Sequence, residues 1–145
     1  MKKVIFFIML VCAASLPADS KDNMKININI TSSSGNHSLT ATLTDNSSSK
    51  AFAELLFKGS VTVDMQDYGS FEKVGNLPVS LPRNDASITI EPGDIILYQG
   101  NKITIYYNTS SWNLTRLGKV EGVTPADLRK ILGKGNVTAV FTIAK

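Results

Sequence analysis

The chain has 145 residues, of which 43% are hydrophobic and 19% charged, and its formal net charge at pH 7 is +3. A chain of this length supports one domain with a hydrophobic core of its own. The small positive charge gives no indication of a nucleic-acid partner or of a basic patch that would bind membranes.

Residues 1–20 have the layout of a secretory signal peptide. Lys2 and Lys3 precede an apolar run over residues 4–14, and small residues then surround Pro17. This order is typical of an export signal, and the run is shorter than the roughly 20 residues that a membrane-spanning helix needs. We therefore predict export to the periplasm or cell envelope, or secretion, with no transmembrane segment in the mature chain.

Cys12, the only cysteine in the sequence, raises an alternative for this segment. A bacterial lipoprotein signal places its cysteine directly after the apolar run, normally behind Gly, Ala or Ser, whereas Val11 precedes Cys12 here. Lipidation is therefore disfavoured against cleavage after Ser15 or Ser20, where small residues stand at the positions that signal peptidase reads. Such cleavage leaves a mature domain without cysteine, so neither a disulfide framework nor thiolate chemistry is available.

The predicted domain spans residues 25–145, behind a short polar lead-in at 21–24. Its first part contains three segments in which apolar and polar residues alternate, as in half-buried strands: residues 25–31, 37–44 and 60–66. The first two of these strands are expected to pair as a hairpin. Between the second and third, residues 50–57 place their apolar side chains on one helical face and predict a short helix that Gly59 ends.

Residues 67–82 are irregular and mix Gly, Pro, Asn and Ser with bulky side chains. Long ordered loops in small domains are often functional. A short strand at 86–90 then leads into a predicted β-hairpin with strands at 95–98 and 103–107, joined by a Gly-Asn turn. Asp94, in the turn before this hairpin, is interpreted as a carboxylate that fixes the turn.

The last part of the chain begins with residues 108–116, which we interpret as a loop carrying Trp112, the only tryptophan. A brief strand at 117–122 follows. A threonine cap and a proline at the first position then predict a helix over 125–132, and alternation at 137–143 predicts the last strand.

The sequence thus predicts eight or nine short strands and two short helices, with mostly antiparallel pairing. The predicted fold class is mainly β, as a closed and mostly antiparallel barrel with the two helices over its open ends. This arrangement buries the apolar face of each strand and of each helix, and it leaves no free sheet edge.

Local sequence in this order of elements resembles the small bacterial cyclophilin-like proteins over nearly all of residues 24–145. The matching segments are Asp67-Tyr68-Gly69 with Glu72-Lys73, Leu77-Pro78, Pro92-Gly93-Asp94-Ile95 with Tyr98, Ile103-Thr104-Ile105-Tyr106-Tyr107, and Leu117-Gly118-Lys119-Val120. The resemblance implies the cyclophilin barrel, in which eight antiparallel strands close and a helix covers each end.

Authentic cyclophilins are peptidyl-prolyl isomerases, and the resemblance does not carry that activity to this chain. Their catalytic strand contains an arginine followed by Phe and Gln-Gly-Gly, and their proline pocket includes a histidine and a tryptophan. The corresponding segment here, residues 61–69, contains no arginine, and the next one downstream is Arg83 in a different segment. His37, the only histidine, lies on an early strand.

The sequence offers no pattern for a metal, a cofactor or a catalytic group. Zinc spacing is absent, and Asp64, Asp67 and Glu72 do not have the spacing of a calcium loop. The glycine-rich residues 133–136 follow a helix, whereas a phosphate-binding loop opens one. We therefore expect no metal, no cofactor and no catalytic residue.

Four residues form the candidate ligand site: Tyr68, Phe71, Glu72 and Trp112. We predict that they line a groove on the barrel wall, where a small molecule or peptide stacks. The alternative is that they close the mouth of the barrel as packing, with Glu72 accepting hydrogen bonds from loop backbone. The predicted function is an exported binding domain. The two alternatives are a divergent prolyl isomerase that uses the same groove and a structural accessory domain of the envelope.

Overall fold

The computed structural model describes residues 24–145. The predicted export signal, Cys12 and residues 21–23 of the polar lead-in lie outside the described residues. Within them the chain forms nine strands and two helices, in the order β1 (Lys25–Ser32), β2 (Gly35–Leu43), α1 (Ser47–Phe57), β3 (Val61–Tyr68), β4 (Glu72–Asn76), β5 (Ala86–Ile90), β6 (Asp94–Tyr98), β7 (Lys102–Tyr106), β8 (Ser110–Glu121), α2 (Pro125–Leu132) and β9 (Val137–Ile143).

Eight of the strands form a closed antiparallel ring. Their order is β2-β1-β9-β3-β4-β7-β6-β8, and β8 pairs back onto β2 between Thr40↔Glu121 and Leu43↔Gly118. The mainly β class and the eight-stranded closed sheet are therefore confirmed. The ninth strand, β5, pairs only with the first half of β8, from Ala86↔Leu114 to Ile90↔Ser110.

The barrel interior is filled by the apolar residues that alternation points inward. Ile26, Ile28 and Ile30 on β1 are each at most 1% exposed. They belong to a single cluster that also includes side chains from both helices. The ring of Phe52 on α1 meets that of Phe141 on β9 edge-on at 5.7 Å between centroids. Each helix therefore closes the core with its apolar face.

The two helices lie at opposite ends of the β1–β2 hairpin. Three residues, 44–46, separate the end of β2 at Leu43 from the start of α1 at Ser47. At the other end, the Ser34 hydroxyl in the hairpin turn donates to the Ile131 carbonyl of α2 at 3.0 Å. Thr124 caps α2 by accepting from the Asp127 N–H at 3.1 Å, with Pro125 at the first helical position, as predicted.

Three boundaries differ from the sequence-based prediction. The first is α1, which begins at Ser47 rather than at residue 50. Asn46 caps it, and its side-chain oxygen accepts from the Ser49 N–H at 2.8 Å. The serines that follow Asn46 are good cap-region residues but weak helix formers, so their run looks like a loop.

The second difference is β4, which lies inside the segment predicted to be irregular. It pairs with β3 and with β7. Glu72 and Lys73 are both buried, so no alternation marks the strand. Gly75 stands where a Cβ would lie 2.4 Å from the Asp64 carbonyl oxygen, so the glycine that resembled a loop residue permits a close approach of two strands.

The third difference is β8, which begins at Ser110 and not at residue 117. Trp112 is therefore on a strand, opposite Ile88 of β5, and the predicted loop at 108–116 is wrong over most of its length. The residues before Leu114 are polar or exposed. They form a strand because they pair with β5, and this pairing produces no alternation of apolar residues in the sequence.

A second, smaller hydrophobic cluster lies outside the barrel. On β6, Ile95 and Leu97 face the interior cluster, whereas Ile96 belongs to the outer cluster with Ile90, Tyr106 and Leu114. β6 is consequently buried on both faces. The arm formed by β5 and residues 110–114 covers part of the outer barrel wall, and this arrangement positions the candidate site.

Candidate functional site

A groove of about 520 Å³ lies on the outer barrel wall beside the β5–β8 arm. Its volume falls within the roughly 300–1,000 Å³ that is usual for small-molecule sites. The lining residues come from five strands and the turn before β4: Tyr68, Phe71, Glu72, Val74, Ile96, Tyr98, Lys102, Thr104, Tyr106, Ser110, Trp112 and Leu114. The structure thus brings together all four predicted site residues.

The floor of the groove is apolar and aromatic. It is built on the outer cluster, to which Ile96, Tyr106 and Leu114 belong, with Phe71 packed against them. Phe71 stacks on Tyr106 at 5.7 Å with an interplanar angle of 29°, and the ring of Tyr68 meets Phe71 edge-on at 6.0 Å. Phe71 therefore acts as packing, while it also presents an apolar wall.

Tyr68 and Trp112 are different, because their rings are largely uncovered. Tyr68 is 62% exposed and Trp112 is 63% exposed. Tyr98, which the sequence-based site omitted, is 37% exposed on the same groove. Closure of the barrel mouth does not explain side chains that remain in solvent on the outer wall. Because side chains alternate along a strand, Tyr98 lies on the same face of β6 as Ile96, and the sequence alone was enough to show this.

Glu72 is the buried polar group of the groove. It is 8% exposed, and it lies in cross-strand register between Tyr68 of β3 and Tyr106 of β7. From the neighbouring strand, the Tyr106 hydroxyl acts to stabilise the charged form of this carboxyl group. Among residues 24–145, no lysine or arginine forms an ion pair with it.

Burial governs the protonation of Glu72. Loss of hydration raises its pKa to about 7; the hydrogen bond from Tyr106 acts in the opposite direction, and the negative charge of Asp67 adds to the rise. Burial and the neighbouring Glu72 carboxylate also raise the pKa of Tyr106. At neutral pH the groove therefore holds a carboxyl group that readily gains or loses a proton.

Lys73 points to the other side of β4 and is fully buried. Its ammonium donates to Asp67 Oδ1 at 3.0 Å and to the carbonyl oxygens of Gly133 at 2.9 Å and Gly135 at 2.7 Å. The Tyr107 hydroxyl also donates to Asp67 Oδ1, at 2.5 Å. A lysine has three donors, and all three are used. Lys73 is thus a structural tie between the sheet and the turn after α2.

The charges in this network are stabilised by their partners. Burial opposes ionisation of Asp67, but the hydrogen bonds from Tyr107 and Lys73 outweigh it and lower the pKa of Asp67. Burial, followed by the hydrogen bond to Asp67, raises the pKa of Tyr107 to about 12. The network needs no ligand to be complete.

Lys102 is the other charged residue of the groove. Asn76↔Lys102 and Glu72↔Tyr106 are the two ends of the β4–β7 pairing. The four residue steps from Lys102 to Tyr106 correspond to about 13 Å along the strand. The groove therefore has an acidic end at Glu72 and a basic end at Lys102.

Other sequence-level candidates lie elsewhere. His37 Nε2 contacts the Ser34 hydroxyl at 2.8 Å at the β1–β2 hairpin, and Arg83 pairs with Asp85. Neither lines the groove. In the described part of the chain no three His, Cys, Asp or Glu side chains are grouped to hold a metal ion. No helix there is long and apolar enough to cross a membrane.

Asp94 has the role predicted for it. Its Oδ2 accepts from the Glu91 N–H at 2.8 Å and from Arg116 at 3.1 Å. Asp94 is 2% exposed, so this carboxylate fixes the turn between β5 and β6 and ties it to β8.

Comparison with known proteins adds a family and a fold. The profile of a cyclophilin-like family matches residues 32–142. The solution structure of the hypothetical protein AF2241 from Archaeoglobus fulgidus superposes with a TM-score of 0.55 at 14% identity, covering 85% of this chain and 96% of that one. None of the curated proteins compared matches this chain. At that identity the structural likeness concerns the fold alone.

Proposed function

The chain belongs to the cyclophilin-like family, and we propose that it is an exported binding domain that holds a small molecule or a peptide in the groove on its barrel wall. The observation that carries the proposal is the pairing of a buried carboxyl group, Glu72, with two largely exposed aromatic rings, Tyr68 and Trp112, in one groove. Exposed aromatic rings around a concave apolar surface are a common feature of ligand sites.

Energetics support a ligand over simple packing. A ring that is more than half exposed contributes little to the stability of the fold, since the free energy of burial scales with the area removed from water. Tyr68 and Trp112 therefore have much of their apolar area available for another molecule. Glu72 is buried at the same site at a desolvation cost, which a purely structural position would not require.

Export is supported by the N-terminal sequence. Lys2, Lys3 and the apolar run over residues 4–14 have the order of a cleaved signal, and no cysteine follows Cys12. A cysteine-free domain with a closed barrel needs no redox machinery in an oxidising compartment.

A binding role is favoured over prolyl isomerisation because the groove lacks an arginine. Its two charged residues are Glu72 and Lys102. A prolyl-isomerase assay on the purified protein tests this. We expect a rate equal to the uncatalysed background, and catalysis abolished by Trp112→Ala would overturn the non-enzymatic assignment.

The binding proposal is tested by a thermal-shift screen of small molecules and short peptides with two variants. A ligand at 100 times its dissociation constant stabilises the folded state by about 2.7 kcal/mol. We expect the shifts to vanish in Trp112→Ala and to persist in Phe57→Ala. Phe57 is a matched control, because it is 64% exposed and lies outside the groove. Shifts that survive in Trp112→Ala would place the binding elsewhere.

A further inference from the structure

We infer that the ligand carries an organic cation, such as a quaternary or protonated amine, whose positive head lies beside Glu72 among the aromatic rings of the groove. This inference rests on the proposed binding function and adds the chemical class of the ligand.

The first step is the position of the carboxyl group. Tyr68, Glu72 and Tyr106 form a cross-strand row on three adjacent strands, and Phe71 contacts both tyrosine rings. Residues in direct register on antiparallel strands have Cβ atoms about 4.5–5.5 Å apart. Aromatic rings therefore flank the acid on both sides, and the groove opens in front of it.

The second step is the missing partner. Glu72 is 8% exposed, yet among the described residues no lysine or arginine forms an ion pair with it, and the neighbouring Tyr106 hydroxyl is neutral. The nearest lysine in sequence, Lys73, is fully occupied on the opposite face. An ionised carboxylate in such a setting is costly unless a cation pairs with it. The ligand is the available source of that cation.

The third step is the rings. A cation over the face of Trp or Tyr within about 6 Å of the centroid is attracted by the ring quadrupole, and recognition of quaternary ammonium groups is the established use of this geometry. Tyr68 and Trp112 present uncovered rings to the groove. The combination of these rings with an acid distinguishes the site from a purely apolar pocket.

Lys102 does not prevent cation binding at the acidic end. Its position about 13 Å along β7 from Tyr106 exceeds the Debye length of about 8 Å at physiological ionic strength. Distance and salt therefore weaken its repulsion of a cation beside Glu72, whereas the carboxylate attracts that cation at contact distance.

The inference predicts a pH dependence that originates in Glu72. With a pKa of about 7, Glu72 is mostly neutral at pH 6 and mostly ionised at pH 8. Affinity for a permanent cation should rise about tenfold over this range as the carboxylate forms. The titratable groups around Glu72 are Asp67 and Tyr68 on β3, Lys73 on β4, and Tyr106 and Tyr107 at the end of β7. The pKa of Asp67 lies below this window and those of Tyr106 and Tyr107 lie above it.

The test compares choline with 3,3-dimethylbutan-1-ol, its uncharged isostere of the same shape. The fluorescence of Trp112, the only tryptophan, reports binding to the full chain. We expect choline to bind at least tenfold more tightly than the isostere at pH 8, with an affinity that falls about tenfold at pH 6. Choline itself does not titrate as an amine, so the change belongs to the protein.

Variants locate the effect. Glu72→Gln keeps the shape of the side chain and removes its charge, so the preference for choline and its pH dependence should both disappear. Glu54→Gln, a change at an exposed glutamate on α1, should keep both. Equal affinities of the unaltered chain for choline and for its isostere would overturn the cation inference but leave groove binding intact. This result does not depend on whether any variant folds. No binding of choline would also overturn it, and Trp112-dependent hits in the screen would then leave the proposed function intact.

Discussion

Glu72 links the candidate site to the stability of the whole domain. Its carboxyl is buried, and its pKa is raised from 4.5 to about 7. Between these values the folded chain holds a proton that the unfolded chain releases, so the free energy of unfolding falls as pH rises. The acid that would recognise a ligand is thus a source of instability in the free protein above neutral pH. Such a trade of stability for function is expected where a polar group is buried for binding.

This reasoning predicts the effect of Glu72→Gln on the pH profile. A shift of this size corresponds to at most about 3 kcal/mol, because solvent partly screens the group, and the unaltered protein loses this stability from pH 4.5 to just above 7. The glutamine variant should lack this slope and be the more stable protein at pH 8. Urea unfolding followed by circular dichroism at pH 4.5, 6 and 8 measures it. Parallel profiles for the two proteins would show that Glu72 ionises normally; Glu54→Gln serves as the control.

Lys73 is the second residue with a measurable role. Replacing it with methionine leaves the Asp67 carboxylate with one donor and removes the partner of two carbonyl groups, those of Gly133 and Gly135. Breaking a buried ion pair from one side typically costs about 3–5 kcal/mol. We expect Lys73→Met to lose stability of this order in urea unfolding.

The matched change is Lys50→Met, which removes an exposed pair with Asp45 at 3.7 Å and should alter the midpoint little. In a double-mutant cycle, Asp67→Asn should recover part of the loss in Lys73→Met, because the carboxylate is then no longer left charged. Equal midpoints for Lys73→Met and Lys50→Met would contradict the structural role.

At the scale of elements, the sequence predicts those segments whose local pattern and burial agree. β1, β2 and β9 alternate, and α2 carries a threonine cap and a proline, so each was predicted within a few residues of its bounds. β4 and the first half of β8 were missed. Their strand conformation comes from pairing partners far away in sequence, β7 and β5, and long-range pairing leaves no local periodicity.

The residues of the candidate site were also predictable from local sequence only in part. Tyr68, Phe71 and Glu72 were predicted as candidates because they lie in an irregular segment that mixes bulky residues with turn residues. Trp112 was found because a tryptophan among polar residues is unusual. Tyr106 was not among the predicted site residues, since alternation alone does not say which face of a strand another element covers. The β5–β8 arm covers that face, and it could not be placed from sequence.

Barrel closure depends on a glycine in β8. Gly118 pairs with Leu43 of β2 on one side and with Ile95 of β6 on the other. A Cβ at this position would lie 2.5 Å from the Thr42 carbonyl oxygen. Neighbouring strands on both sides leave it little room to shift, so Gly118→Ala should separate β8 from β2.

We expect Gly118→Ala to destabilise the domain by about 1–3 kcal/mol, the usual range for overpacking. Hydrogen exchange should accelerate first at the β2 amides that bond to β8. Ser111→Ala, an exposed change in the same strand, is the control and should leave both measurements unchanged. Unaltered exchange along β2 in Gly118→Ala would show that the ring closes without requiring glycine.

The two hydrophobic clusters of the molecule have different roles: one forms the barrel core, and the other supports the groove. The interior cluster joins both helices and seven of the eight ring strands, all except β4, whereas the outer cluster consists of Ile90, Ile96, Tyr106 and Leu114. The groove is built on the outer cluster. Substitutions at its rim therefore change surface chemistry without disturbing the interior packing, and a closed barrel tolerates a costly buried acid on its wall.

The N-terminal boundary of the folded domain lies at β1. The strand that opens the domain is fixed from its first residue: Lys25 pairs with Thr42 and forms an ion pair with Glu121 at 2.9 Å, and its carbonyl accepts from the Ala144 N–H at 3.0 Å. A chain starting at residue 21 contains every described strand and helix. We therefore expect the fragment 21–145 to unfold at the same urea midpoint as a chain purified with residues 1–20 attached.

Expression of the full chain in a Gram-negative host tests export directly. The mature protein should be recovered from the periplasm with an intact mass that begins at Leu16 or Lys21, after the small residues that signal peptidase reads. Cys12→Ala should leave the location and mass of the cleaved product unchanged, because the predicted cleavage removes Cys12 with the signal. A product that starts at Cys12 and carries the mass of lipid would instead establish a lipoprotein. Retention of the complete chain in the cytoplasm would contradict export. The binding proposal would be unaffected, because the groove lies wholly in the domain and has its own tests.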